Sequence, residues 1–187
     1  MANPQNIPEE PIFESCINLT SVSVGNGVTY LGSEAFLGCT ALNSVTLGTN
    51  VTTIDMRAFA DCPALTGIYF QGDAPVFGWN ALSGTTNATI FYLPETAGWE
   101  ATIGDRPTVL WNPTIQTGND SFGVSSNGFG FNITGTSNLV IVVAASPNLA
   151  NPVWSIISTN TLTGGSSYFS DPEWTNHPAR FYRLRSP

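Results

Sequence analysis

Hydrophobic positions in the first third of the chain recur with a period of 23 residues. The phrases "AFLGCTAL" and "AFADCPAL" begin at Ala35 and Ala58, and their alignment extends in both directions. One such unit cannot bury its own apolar row, so we expect successive units to stack as coils of a solenoid. The repeating columns are aromatic, cysteine or aliphatic, and they comprise Phe13, Phe36 and Phe59; Cys16, Cys39 and Cys62; Leu19, Leu42 and Leu65; Val22, Val45 and Ile68; Val24, Leu47 and Phe70.

Each unit also contains a stretch in which polar and apolar residues alternate. The segments "SVSVG", "SVTLG" and "GIYFQ" have the period of two that is typical of a half-buried strand. Equivalent strands of stacked coils lie side by side, so these segments predict a parallel sheet. The intervening "GNGVTYLGSEAF" and "GTNVTTIDMRAF" predict a Gly/Asn turn, a second short extended piece and a helical turn.

The 23-residue period stops by Trp111, and a different pattern follows. Residues 112–120, "NPTIQTGND", have the composition of a linker. Short β runs separated by turn-rich segments then predict a small antiparallel sandwich or barrel-like domain. These runs are residues 129–133, 139–145, 153–157, 168–169 and 181–184.

The predicted fold class is therefore mostly β, with a short leucine-rich-repeat solenoid followed by a small antiparallel β domain. We place an N-terminal tail at residues 1–12, the solenoid with irregular closing coils at 13–111, the linker at 112–120 and the C-terminal β domain at 121–187.

The repeat unit resembles the BspA-like bacterial surface-antigen subfamily of leucine-rich repeats, whose consensus carries an I-x-x-x-A-F-x-x-C-x-x-L core. Residues 13–70 match this consensus, and residues 74–111 resemble the irregular coils that close such arrays. The resemblance implies a secreted or cell-surface bacterial protein with a role in adhesion, and it brings no catalytic residues. Residues 152–187 resemble the C-terminal modules of large secreted proteins from environmental bacteria, to which no activity attaches.

Charge and hydropathy exclude two classes of partner. The chain has a net charge of −8 and no lysine, whereas nucleic-acid binding needs clustered cations. Arg180, Arg183 and Arg185 crowd the last eight residues. We expect them to pair with local carboxylates, and an anion site is the alternative. No apolar run reaches the 18 residues or so of a membrane span, and the longest, residues 138–145, has the length of a buried strand.

The start of the sequence does not resemble a signal peptide, and it enters the repeat partway through a unit. Pro8 stands where later coils have Leu31 and Ile54. We therefore expect a piece cut from a longer secreted chain. An open terminal coil invites stacking on another molecule, so we also expect self-association through the N-terminal coil.

The residues that usually carry chemistry do not form a recognisable site. The three cysteines share one repeat position, which predicts small buried side chains. A disulfide between coils would leave one thiol over, and a three-thiolate metal site would lack a fourth ligand. His177 is the single histidine and has no nucleophile motif to serve. We predict no catalytic residue, no metal ligand and no cofactor.

Binding is the function that the pattern favours. The outward positions of the predicted sheet form two rows that a partner can contact. One row is Ser23, Thr46, Tyr69 and Phe91; the other is Ser21, Ser44, Gly67 and Thr89. We predict that these rows bind an extracellular protein or glycan, because aromatic residues are enriched in interface cores. The alternative is that Tyr69 and Phe91 pack on the closing segment or the second domain.

Two functions follow from this interpretation. The first is a non-catalytic adhesion or recognition module. The alternative is a structural C-terminal fragment that serves secretion, anchoring or self-assembly. Trp154 and Trp174 are predicted to be core or corner residues, and sugar stacking is the other role considered for them.

Overall fold

The computed structural model describes residues 11–187, which form two compact units with a boundary between Leu110 and Trp111. The predicted tail at residues 1–12 lies largely outside the described residues. Pro8, and with it the state of the N-terminal coil on which the expected self-association depends, also lies outside them.

The first unit is a solenoid whose coils each contribute one long and one short strand. The long strands form a sheet in the order β1-β3-β5-β7-β9-β8, and the short ones form a second sheet in the order β2-β4-β6. The strands are β1 (Ser21–Val24), β2 (Tyr30–Leu31), β3 (Ser44–Leu47), β4 (Thr53–Ile54), β5 (Gly67–Phe70), β6 (Val76–Phe77), β7 (Thr89–Tyr92), β8 (Thr102–Ile103) and β9 (Arg106–Leu110). The predicted parallel sheet and its second extended pieces are confirmed.

The pairing register follows the repeat. Val22 pairs with Val45, which pairs with Ile68, at steps of 23 residues. The later coils are shorter, since Ile68 pairs with Ile90 and Ile90 with Thr108. Strands β8 and β9 then pair antiparallel and end the sheet.

The predicted helical turn is instead a series of three-residue turns. The Leu37 N–H donates to Glu34 O at 3.0 Å, and the Cys39 N–H donates to Phe36 O at 3.2 Å. Glu34 and Gly38 have φ of 59° and 70°, and the equivalent Arg57 has 54°. A residue in the left-handed region cannot continue a right-handed helix, so each coil turns sharply here.

Ladders of equivalent side chains build the solenoid core. The rings of Phe13, Phe36 and Phe59 stack at centroid distances of 5.2 Å, with interplanar angles of 1° and 3°. Leu31 and Ile54 form a parallel ladder and are fully buried. Burying each such side chain stabilises the fold by about 1.5–3 kcal/mol. At the far end, Trp99 of the closing coil packs on Phe70 and Tyr92.

The cysteine column is buried as predicted, and it also makes hydrogen bonds. Cys39 Sγ donates to Phe13 O at 3.0 Å, and Cys62 Sγ donates to Phe36 O at 3.2 Å. The three thiols are free, and burial raises the pKa of Cys62 to about 11. Thr85 continues the column one coil later and is fully buried. The column thus supplies each coil with a small side chain that satisfies a backbone carbonyl of the coil before it.

The second unit contains two antiparallel sheets. β10 and β11 both pair with one edge of β12, and β15 pairs with the other edge; the second sheet has the order β14-β13-β16. The strands are β10 (Thr114–Gln116), β11 (Gly123–Ser125), β12 (Gly128–Thr134), β13 (Val140–Ser146), β14 (Ser155–Thr161), β15 (Ser166–Asp171) and β16 (Phe181–Arg185), with 3₁₀ turns at Thr163–Gly165 and Trp174–Asn176.

The two sheets of the second unit pack through aromatic rings. Tyr182 of β16 stacks on Phe129 of β12 at 5.3 Å and meets Phe131 and Phe169 edge-on. The five predicted β runs all overlap strands. Residues 112–120, predicted as a linker, contain β10, whose backbone pairs with β12.

Candidate binding surface

The predicted outward residues lie in two adjacent rows across the parallel sheet. Ser23, Thr46, Tyr69 and Phe91 pair in succession from β1 to β7. Ser21, Ser44, Gly67 and Thr89 form the second row in the same way. Ser21 and Ser23 are exposed, whereas the other predicted binding side chains are partly buried. The structure therefore brings all seven predicted binding residues together on one face.

Tyr69 and Phe91 form a stacked pair within this surface. Their ring centroids are 4.7 Å apart and the rings are inclined by 12°. The Tyr69 ring also extends over Gly67, where a Cβ would lie 2.7 Å from Cε2 and 2.9 Å from the hydroxyl oxygen. The glycine thus makes room for the ring, and burial raises the pKa of Tyr69 to about 12.

The row of Ser23 continues one strand further than the sequence pattern indicated. Val109 of β9 pairs with Phe91, 18 residues later in the chain. Sequence reasoning missed this residue because the last coil is shorter than the 23-residue period. The row consequently changes from hydroxyl side chains at β1 and β3 to apolar side chains at β5, β7 and β9.

The closing coil does not account for the aromatic pair by ring packing. Trp99 stacks on Tyr92 at 5.2 Å and lies 4.9 Å from Phe70. Tyr92 and Phe70 follow Phe91 and Tyr69 directly, so they alternate to the other side of the strands. The ring contacts of Trp99 are therefore on the core side of the sheet.

Acidic residues for which a solvated role had sufficed instead connect neighbouring coils. The Asp55 carboxylate accepts hydrogen bonds from the Tyr30 hydroxyl, from Ser33 at 3.0 Å and from the Met56 N–H at 2.7 Å. The bond from Tyr30, followed by that from Met56, lowers the pKa of Asp55.

A second inter-coil contact involves the turn residues. Glu34 forms an ion pair with Arg57 of the next coil at 2.8 Å, and Arg57 lies 3.8 Å from Asp61. These acids therefore have structural partners, and within residues 11–187 no three His, Cys, Asp or Glu side chains cluster as a metal site.

The arginines near the end of the second unit have different partners. Arg180 Nε lies 2.6 Å from Asp171 Oδ2, which is the pairing with a carboxylate that the sequence predicted. Arg183 instead lies over the Trp154 ring at 4.3 Å, a cation–π contact. Arg185 donates to the Ser186 carbonyl at 3.3 Å.

The search for membrane-spanning elements covered the described part of the chain. Among residues 11–187, no helix has both the length and the apolar character needed to cross a bilayer.

Comparison with known families agrees with the repeat geometry. Residues 6–105 match the family model described as "BspA type Leucine rich repeat region (6 copies)". Proteins with such repeats are typical of bacterial surfaces, leucine-rich repeats generally bind proteins, and the family is usually non-catalytic. No curated protein and no solved structure gives a significant match. Because the matched segment covers more than half of the 187 residues and its coils have the expected period, the chain belongs to the BspA-type leucine-rich repeat family.

Proposed function

We propose that this protein is a non-catalytic adhesion or recognition module of a bacterial surface or secreted protein. It binds an extracellular partner through the two outward rows of the solenoid sheet. Membership of the family supports a bacterial surface location and protein binding in general. The observation that carries the proposal is the stacked pair of Tyr69 and Phe91 beside rows of hydroxyl side chains.

The aromatic pair has the properties of an interface anchor. Its rings are already ordered by stacking on each other and on Gly67, so binding costs little side-chain entropy. Tyrosine is enriched among residues that dominate binding energy, and such residues are surrounded by weaker contacts. Ser44 and Thr46 would supply those contacts, because their hydroxyls donate and accept hydrogen bonds.

The extent of the surface favours a protein partner over a glycan. The row runs across five adjacent strands, from Ser23 to Val109. At about 4.8 Å between strands, it spans about 19 Å. A partner surface can cover that length continuously, with its apolar part against the aromatic pair and its polar part against the hydroxyls.

The test is binding to purified extracellular-matrix proteins by surface plasmon resonance. Tyr69→Ser combined with Phe91→Ser is expected to weaken binding at least about 30-fold, the loss of a hot spot of about 2 kcal/mol. Trp79→Ser is the control, because Trp79 lies outside both rows and is 71% exposed. Circular dichroism establishes that each variant folds.

Equal binding by the wild type and the double variant would refute the proposal. If assembly in solution depended on residues 113–187 instead, the structural alternative would be supported. Binding of glycans alone, lost in the same double variant, would keep the surface and change the class of partner.

A further inference from the structure

The second unit contains a cavity at the point where one edge of β12 changes partner. β11 pairs with residues 128–130 and β10 pairs with residues 132–134, so Phe131 lies between the two pairings. The chain between these strands, residues 117–122, leaves the sheet edge. The resulting cavity has a volume of about 520 Å³, within the range of roughly 300–1,000 Å³ that is usual for small-molecule sites.

Aromatic rings form one wall of this cavity. Phe129 stacks on Tyr182 with an interplanar angle of 14°, and Phe122 meets Phe129 edge-on at 5.5 Å. Trp174 and Phe181 also line the cavity. Phe122 and Phe181 are 42% and 37% exposed, so ring surface is accessible to a ligand. Because the rings hold one another in place, the wall is formed before a ligand arrives.

Polar groups line the cavity beside the rings, and a buried carboxylate fixes one of them. Thr117, His177 and Arg180 line the cavity. Asp171 is 5% exposed and forms the ion pair with Arg180 at 2.6 Å. The same carboxylate accepts a hydrogen bond from the Tyr182 hydroxyl at 3.0 Å. Asp171 therefore positions both a guanidinium and an aromatic ring of the cavity.

The balance of charge selects a neutral ligand. At neutral pH Arg180 is the one formally charged group among the described residues that line the cavity, with His177 neutral. Asp171 compensates that charge, and the chain carries a net charge of −8. An anion would find no uncompensated positive charge here, and the field of the whole protein would oppose its approach. A cation would face the guanidinium.

The ligand must therefore offer an apolar face to the rings and hydroxyl groups to the polar residues. A sugar ring has both, because its C–H groups carry partial positive charge and the aromatic face is negative. Its hydroxyls can accept from Arg180 and can donate to or accept from Thr117. We infer that this cavity binds a ring of a neutral oligosaccharide. This site lies in a different unit from the sheet surface and takes a different ligand.

The test is isothermal titration of the full chain with maltohexaose, cellohexaose, xylohexaose and mannohexaose. At least one of these neutral probes is expected to bind. Phe122→Ala is expected to weaken that binding at least about tenfold, because it removes ring surface. Thr117→Val keeps the shape of the side chain and removes the hydroxyl, so a loss of about threefold is expected.

Tyr168→Ala is the matched control, because Tyr168 is an aromatic residue of the same unit that is 45% exposed and does not line the cavity. It should leave the affinity unchanged. Hexagalacturonate and a capped tyrosine-containing peptide are titrated as the anionic and peptide alternatives.

Three results would overturn the inference: no binding by all four neutral probes at millimolar concentration, tighter binding of either alternative, or unchanged affinity in a folded Phe122→Ala variant. None of these results bears on the sheet surface, which is probed with other ligands and other variants.

Discussion

The buried hydroxyl of Thr85 should be essential to the last regular coil of the solenoid. Its Oγ1 donates to Phe59 O at 2.6 Å and accepts from the Cys62 N–H at 3.1 Å. Thr85→Val keeps the shape of the side chain and removes both hydrogen bonds. The Phe59 carbonyl and the Cys62 N–H then lose this partner in the interior. A buried polar group without a partner costs about 1–3 kcal/mol, so we expect a destabilisation of about 2–4 kcal/mol in total.

Thr85→Cys is the matched control for this substitution. Earlier coils place cysteine in this column, and their thiols donate to the equivalent carbonyls. Sulfur is a weak donor and a weak acceptor, so part of the hydroxyl's contribution is retained. We expect Thr85→Cys to cost about 1 kcal/mol, clearly less than Thr85→Val.

The cysteines themselves provide an assay that reports on the solenoid alone. Cys39 and Cys62 are fully buried and belong to the first unit. Pulsed alkylation with iodoacetamide across a urea series, read by mass spectrometry, follows their exposure. With a urea m-value of about 2 kcal/mol/M, the midpoint for Thr85→Val should fall by about 1–2 M. A shift below about 0.25 M, or equal shifts for Val and Cys, would refute the reasoning.

Two further predictions concern the outward rows and the inter-coil contacts. Gly67→Ala should displace the Tyr69 ring, because the new Cβ would lie 2.7 Å from its Cε2; in a spectroscopic phenolate titration the pKa of Tyr69 should fall from about 12 towards its ordinary value, and an unchanged titration would contradict this account. The pKa of Asp55 is lowered in the fold by Tyr30, so its contribution to stability is present above the unfolded pKa of about 4 and is lost as the pH falls through the folded value. Asp55→Asn should therefore flatten the loss of solenoid stability on acidification, measured by urea unfolding between pH 5 and about 2; equal slopes in both proteins would exclude this role.

The regular coils could be predicted from the sequence because their geometry repeats with the sequence. Stacking units of equal length pairs each residue with its equivalent, so the pairing of Val22, Val45 and Ile68 followed from the period alone. The burial of Cys39 and Cys62 and the position of the outward rows followed in the same way. The hydrogen bonds of the thiols did not, because they depend on the distance between coils.

Where the coils lose their regular length, the sequence was a weaker guide. Val109 joins the outward row, and Thr85 joins the cysteine column, although neither continues the repeated phrase. β10 pairs within a segment whose composition resembled a linker. Short strands of this kind form because a longer neighbour offers its edge, and composition does not record that neighbour.

The sequence by itself determined the solenoid, its register, its family and the face available to a partner, because all four depend on periodicity. The tertiary structure alone placed Tyr69 over Gly67. It also paired Asp55 with Tyr30 and gathered Phe122, Arg180 and Tyr182 around one cavity. These contacts join residues far apart in the chain, or depend on the path of a side chain, and no local pattern encodes them.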